Sequence, residues 1–254
     1  MELNRVYNMD CLEGVKKLED NSIDLINIDP PYVGVVKAKW DEQNAFTPEL
    51  VKELYRVLKP TGSIYVWCGI GEKSRSLLDF IPILDKEFHF KQLITWKKNR
   101  GIGMIKGWLF TREELLWYVK DNKQFIWNKD KQYSNEKRPW SIVKKGGEMV
   151  NKSEYKRITN VWTDINEVGY GSSPLGFKKI KDKIKHITPK PVEAIERTIL
   201  LHTKENDVIL DCFGGSGTTA IAAINTNRQY ILFENDTDIF NASIERIKDV
   251  LSNK

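Results

Sequence analysis

Val208-Ile-Leu-Asp211-Cys-Phe213-Gly214-Gly215-Ser216-Gly217-Thr218-Thr219 is the stretch on which the fold turns. A short apolar strand ends in an acid, a glycine cluster follows, and a helix of small residues (Ala220, Ala222, Ala223) begins. Glycines let the backbone reverse sharply and admit a ligand close to the main chain. Glu234 ends the next apolar run, 23 positions after Asp211. A carboxylate there can take ribose hydroxyls, as in nucleotide-binding α/β folds. No lysine follows Gly217 and no strict GxGxxG is present, so a triphosphate loop is disfavoured. Asp211 would repel a pyrophosphate and suits a cationic amino-acid group.

Acids stand at four strand ends: Asp10, Asp29, Asp211 and Glu234. S-adenosylmethionine presents a sulfonium, an ammonium, a ribose and an adenine, and this set of carboxylates matches that inventory. A glycine turn needed only for packing is the alternative reading.

Outward from this turn the chain alternates short apolar strands with amphipathic helices, which predicts a parallel sheet covered on both faces. Strands are expected at Val6–Met9, Leu25–Ile28, Ile64–Trp67, Leu93–Trp96, Leu115–Val119, Val208–Leu210 and Tyr230–Phe233. Thr47-Pro48 caps a helix through Leu50, Leu54, Val57 and Leu58, with Pro60 and Gly62 expected to end it. Further helices are expected through Leu12, Val15 and Leu18, from Pro191 to His202, from Thr218, and through Phe240, Ile244, Ile247 and Leu251. From 128 to 184 no period persists. This region reads as an inserted recognition module outside the core, dividing the chain into 1–127, 128–184 and 185–254.

A second segment carries the chemistry. Asp24-Leu-Ile-Asn-Ile-Asp29-Pro30-Pro31-Tyr32 runs from a strand into an acid, two prolines and an aromatic ring. The prolines fix φ and remove two donors, so the Asp29 carboxylate and Pro30 carbonyl become fixed acceptors beside the flat face of Tyr32. A planar group bearing an amine, such as a nucleobase, suits that corner. An ordinary strand-ending turn would use the same residue types.

The 254 residues, 41% apolar with eight tryptophans, suffice for a full core. Three cysteines (Cys11, Cys68, Cys212) without a CxxC pair argue against a disulfide framework or structural zinc, so no metal is expected. No apolar signal core or membrane span is present, and a cytoplasmic protein is expected. The net charge of +5 is uneven: residues 120–190 hold 17 Lys and Arg against 8 Asp and Glu. Trp127, Tyr133, Trp140, Tyr155, Trp162, Tyr170 and Phe177 are interleaved there, the composition of a surface that tracks phosphates and reads bases. A solvated lysine-rich loop region is the alternative.

Together these segments resemble the S-adenosylmethionine-dependent DNA amino-methyltransferases, over most of the chain outside 128–184. Asp29-Pro30-Pro31-Tyr32 stands where that family has its catalytic [DNS]PP[YFW] tetrad. Asp211 to Gly217 resembles its D-P-F-x-G-S-G cofactor loop, with Cys212 where proline is usual. His186-Ile-Thr188-Pro189-Lys190-Pro191 resembles H-P-x-x-K-P, with Ile187 for the first proline and Pro189 before the lysine. Arg56 to Gly62 and Phe110 to Tyr118 also match family blocks in place and character. The order, tetrad first and cofactor loop last, resembles the β class, a circular permutation of the Rossmann-like methyltransferase fold. A seven-stranded, mainly parallel sheet follows from that resemblance, with one antiparallel strand near an edge and the Glu234 strand beside the strand ending in Asp10.

The resemblance further implies methyl transfer to the N6 amine of an adenine flipped out of double-stranded DNA, by an enzyme of the restriction-modification type. Asp29, Pro30, Pro31 and Tyr32 would be catalytic, with Tyr32 and Phe110 walling the base. Asp10, Cys11, Asp29, Lys190, Asp211, Phe213, Gly214, Gly215, Ser216, Gly217, Thr218, Glu234 and Asn235 would hold the cofactor. Asp10 also reads as a helix N-cap, and both roles can coexist. N4-cytosine or RNA-adenine methylation and a catalytically silent DNA-binding homologue are the alternatives, and a homodimer is expected by analogy.

Overall fold

The computed structural model describes residues 1–32, 45–71, 74–102, 106–138, 154–167 and 189–253. Its main sheet has eight strands: β1 (Arg5–Asn8), β2 (Ile23–Ile28), β3 (Leu58–Cys68), β4 (His89–Ile102), β5 (Phe110–Val119), β8 (Val161–Trp162), β9 (Val208–Asp211) and β10 (Gln229–Glu234). They lie in the order β1-β10-β9-β2-β3-β5-β4-β8, and β6 (Tyr133–Lys137) with β7 (Tyr155–Arg157) forms a separate two-stranded sheet. The first five strands of that order run parallel, and β5 is antiparallel to both neighbours. The first and last strands of the chain pair, with Asn8 opposite Glu234, so the permuted order expected from sequence is the one observed.

Helices α1 (Cys11–Lys16), α2 (Pro48–Val57) and α3 (Ser76–Leu84) cover one face of the sheet; α4 (Val192–His202), α5 (Thr218–Asn225) and α6 (Thr237–Ser252) cover the other. β2 is buried at every position, the signature of a parallel strand covered on both sides. Ile26 and Ile28 enter one core cluster and Leu25 the opposite one. Buried Asn27 is satisfied by Thr198 of α4 at 2.8 Å and Trp67 of β3 at 3.2 Å, a polar tie between layers.

Several expectations need correction. The sheet has eight strands, not seven, because β8 pairs with β4 through Thr95–Val161 and Trp96–Trp162. Residues 161–165 are therefore part of the main fold: Trp162 and Ile165 are buried in it. Trp127 also packs against the core, stacked on Trp117 at 5.3 Å, so neither it nor Trp162 is an exposed base reader. Helix α2 ends at Val57, and Pro60 and Gly62 lie inside β3. There Gly62 is needed for space, since a Cβ would sit 2.5 Å from the Leu58 side chain. Helix α3 was not expected, its period being obscured by Pro82. At the last helix Leu251 is exposed, and buried Ile239, Ala242, Ser243, Arg246 and Ile247 form the inner stripe.

Candidate active site

The site lies at the carboxyl ends of the parallel strands, where β9 and β2 meet and the chain order reverses, the position at which open α/β sheets bind ligands. β2 ends at Ile28, so Asp29 is carried to its rim. Tyr32 Oη donates to Asp29 Oδ1 at 2.7 Å, and Lys190 Nζ donates to Asp29 Oδ2 at 2.6 Å. Lys190 is nearly buried and lies 3.1 Å from Glu113 Oε2, while Glu113 also takes Lys98 from the neighbouring strand. The Lys190 ammonium sits 5.7 Å from the centre of the Tyr32 ring and 5.3 Å from that of Trp67.

The electrostatics follow from this packing. Burial works against the Lys190 charge, but the Asp29 and Glu113 carboxylates outweigh it and hold its pKa above the ordinary lysine value. Burial likewise opposes ionisation of Glu113, and Lys190 and Lys98 overcome it, so its pKa is lowered. Burial raises the Tyr32 phenol well above its usual value, with Asp29 and Glu113 adding to the effect, so the ring stays neutral.

Beneath the rings runs the exit of β3. A Cβ on Gly69 would lie 3.9 Å from the Tyr32 ring, and one on Gly71 would lie 3.5 Å from the Phe110 ring. Tyr32 and Phe110 thus lie along one short glycine-containing segment, both part-buried.

The glycine turn lies one strand away. Gly215 and Gly217 have φ of 49° and 78°, conformations that favour glycine. A Cβ on Gly214 would come within 3.1 Å of the Phe233 carbonyl oxygen. Asp211 is buried, with Oδ1 accepting from Phe213 N at 3.0 Å and Oδ2 from Thr219 Oγ1 at 2.6 Å. Burial lifts its pKa to about 7 against those two bonds, with the charges of Asp29 and Glu234 adding to the rise. Glu234 accepts from Gly215 N through Oε2 and from Asp236 N through Oε1, each at 2.9 Å, and burial raises its pKa too. Three mutually repelling carboxylates around a turn open beside Gly215 fit a ligand that carries positive charge and hydroxyl groups. That is the acceptor chemistry S-adenosylmethionine requires.

The other expected residues fall around this turn. Asp10 caps α1, accepting from Leu12 N at 2.9 Å and Glu13 N at 3.2 Å. Cys11 is buried, its thiol pushed up to about 12 by burial and then by Asp10. Pro30, Ser216 and Thr218 are buried, Pro31 and Phe213 part-buried, and Asn235 exposed. His186, Ile187 and Thr188 lie outside the described residues, as do 139–153 and 168–185 of the expected recognition region.

Two residues near the site were missed by sequence reasoning. Glu113 completes the Lys190 cluster, and only its place in the Phe110–Tyr118 block marked it. Arg246, buried on α6, donates from Nη1 to Ser216 O at 3.0 Å, Ser216 Oγ at 2.9 Å and Thr218 Oγ1 at 3.0 Å. A charged residue on the inner stripe of a helix was its available signal. Among the described residues there is no group of three or more His, Cys, Asp or Glu placed to hold a metal, and no helix is long and apolar enough to cross a membrane.

Comparison with known proteins bears on this geometry. A DNA methylase family model, N6_N4_Mtase, matches residues 23–245. The chain is 31% identical over 250 residues to the Type II methyltransferase M.HpaI of Haemophilus parainfluenzae, spanning 96% of this chain and 74% of that protein. It is 30% identical over 251 residues to Type II methyltransferase M1.MboII of Moraxella bovis, spanning 91% of each. Among solved structures, the M1.HpyAVI–SAM complex superposes with a TM-score of 0.66 at 24% identity, over 96% of this chain and 98% of that one. The PvuII DNA methyltransferase, described as cytosine-N4-specific, superposes at 0.68 with 19% identity, over 98% and 91%. These superpositions speak for a shared fold.

Proposed function

This chain belongs to the N6/N4 DNA methylase family, and from that membership we propose that it methylates the N6 amine of an adenine turned out of double-stranded DNA, using S-adenosylmethionine. The observation that carries the reading is the Asp29 corner: a carboxylate and a proline-fixed carbonyl beside Tyr32, one strand from the glycine turn.

Asp211, Glu234 and the turn Phe213–Thr218 would hold the cofactor, with Asp10, Cys11 and Asn235 toward its adenine. When bound, the cofactor supplies an electrophilic methyl group on a sulfonium. The protein's own contribution is positional. The two amine hydrogens of the base are accepted by Asp29 and the Pro30 carbonyl, which turns the nitrogen lone pair out of conjugation and stabilises the charge that grows on it. Tyr32 stacks on one face of the base and Phe110 walls the other. Both Asp29 oxygens are engaged, by the Tyr32 hydroxyl and Lys190, so an incoming amine shares one of these oxygens with its present donor or displaces that donor. Glu113 gives Lys190 a second carboxylate to rest on when it yields.

Asp at the first tetrad position supports adenine over cytosine. Residues 128–184, apart from the core segment 161–165, are the proposed recognition region, and a cytoplasmic homodimer is the proposed working state. Unmethylated DNA treated with enzyme and cofactor, digested to nucleosides and weighed, tests the assignment. N6-methyladenine is expected. N4-methylcytosine instead would move the target to cytosine, and no methylated nucleoside would refute DNA methylation.

A further inference from the structure

Trp108 is 95% exposed and Leu109 57% exposed at the end of the β4–β5 hairpin. Isolated surface apolar residues are ordinary, and three further observations set this pair apart. First, residue 97 to residue 112 carries five Lys and Arg and no acid. Lys98 and Arg112 are paired to Glu113 and Glu114 at the base of the hairpin, while Lys97, opposite Arg112, and Lys106, next to the exposed pair, are themselves exposed. Second, Gly107 has a φ of 124°, a backbone conformation that side chains rarely adopt, so the turn leading into Trp108 depends on glycine there. Third, Phe110, two positions on, borders the same segment as Tyr32. The exposed indole therefore lies two residues from the ring that borders the candidate site, on a basic hairpin.

We propose that this hairpin is a duplex-DNA contact, separate from residues 128–184, in which Trp108 enters the base stack and fills the place of the extruded base. A vacated position loses stacking on both sides, and an aromatic ring can take its place. Leu109 supports the wedge, and Lys97 and Lys106 meet the flanking phosphates. The inference rests on the DNA reading above and adds to it the device that stabilises the opened duplex.

The test compares wild type, Trp108→Ala and Trp108→Phe in single-turnover methylation of duplex oligonucleotides that carry the sequence the wild type modifies. A second duplex has an abasic site opposite the target, so extrusion no longer breaks a base pair. Trp108→Ala should lose about tenfold or more on the intact duplex, within the range set by one stacked base. Trp108→Phe should restore most of that rate, and the Ala defect should shrink on the abasic duplex while cofactor affinity stays unchanged. Wild-type rates for Trp108→Ala on the intact duplex, or an equal defect on both duplexes, would overturn the wedge. A wild type that methylates no DNA would instead overturn the underlying reading, and the wedge with it.

Discussion

Lys190 and Asp29, 161 positions apart in sequence, meet at 2.6 Å, and the same ammonium lies 3.1 Å from Glu113. The contact joins the segment leading into α4 to the residue after β2 and to β5, so three distant segments are fastened at the point where the chemistry is proposed. The cluster holds one near-buried cation between two carboxylates, with aromatic rings of Tyr32 and Trp67 around it.

Removing the cation should therefore cost stability as well as activity. Lys190→Met strips Asp29 of its cation and leaves Glu113 with Lys98 alone. A loss of about 3 kcal/mol is expected, the low end for a broken buried pair because Asp29 keeps some contact with water. Urea unfolding of the variant measures it. Glu113→Gln should destabilise less and lower the methylation rate, since Lys190 then has only Asp29 to rest on.

Asp211 gives a pH signature. With its pKa raised to about 7, the carboxyl is about half protonated near neutrality in the ligand-free protein. A cationic ligand favours the ionised form, so binding should release a proton, and affinity should rise as pH increases toward about 7 and level off above it. Titration calorimetry of S-adenosylmethionine from pH 5.5 to 8.5 follows this slope. Asp211→Asn should flatten it.

His202 gives a second signature, in stability. It is buried between Tyr65, whose hydroxyl lies 2.7 Å from Nε2, and the Ile126 carbonyl, 2.7 Å from Nδ1. Burial lowers its pKa from 6.5 to about 4, with the Ile126 bond acting the other way. The unfolded chain takes the proton first as pH falls. The His202 contribution is thus intact above about pH 6.5, fades between 6.5 and 4, and amounts to about 3 kcal/mol once lost. Urea midpoints across that interval should decline, and His202→Gln should remove this part of the decline.

The glycine turn offers a backbone test. Gly217 has φ 78°, and an added Cβ would lie 3.2 Å from Ile247 Cδ1. Gly217→Ala should cost about 1–3 kcal/mol from strain alone. It should also raise the KM for cofactor more than it lowers kcat, because the turn and not the Asp29 corner is disturbed.

Most of the scaffold was legible in sequence because parallel strands buried on both faces read as continuous apolar runs, as at Ile23–Ile28, and capped helices announce themselves, as at Thr47-Pro48. The acids at the strand ends were legible for the same reason: each follows directly on an apolar run. Long-range partnerships were not. Nothing local marks Glu113 as the neighbour of Lys190, or Arg246 as the donor to Ser216, since each pair is assembled by the sheet order. Trp162 misled because an aromatic residue in a polar, aperiodic stretch resembles a surface reader until β8 is seen to pair with β4.

The central claim, that the Asp29 carboxylate holds the amine that receives the methyl group, meets its most direct test in Asp29→Ala. Single-turnover transfer of labelled methyl from saturating S-adenosylmethionine to DNA should fall by about 10²-fold or more, as when one preorganised charge-stabilising contact is removed. Transfer at the wild-type rate by a folded Asp29→Ala protein would contradict the account.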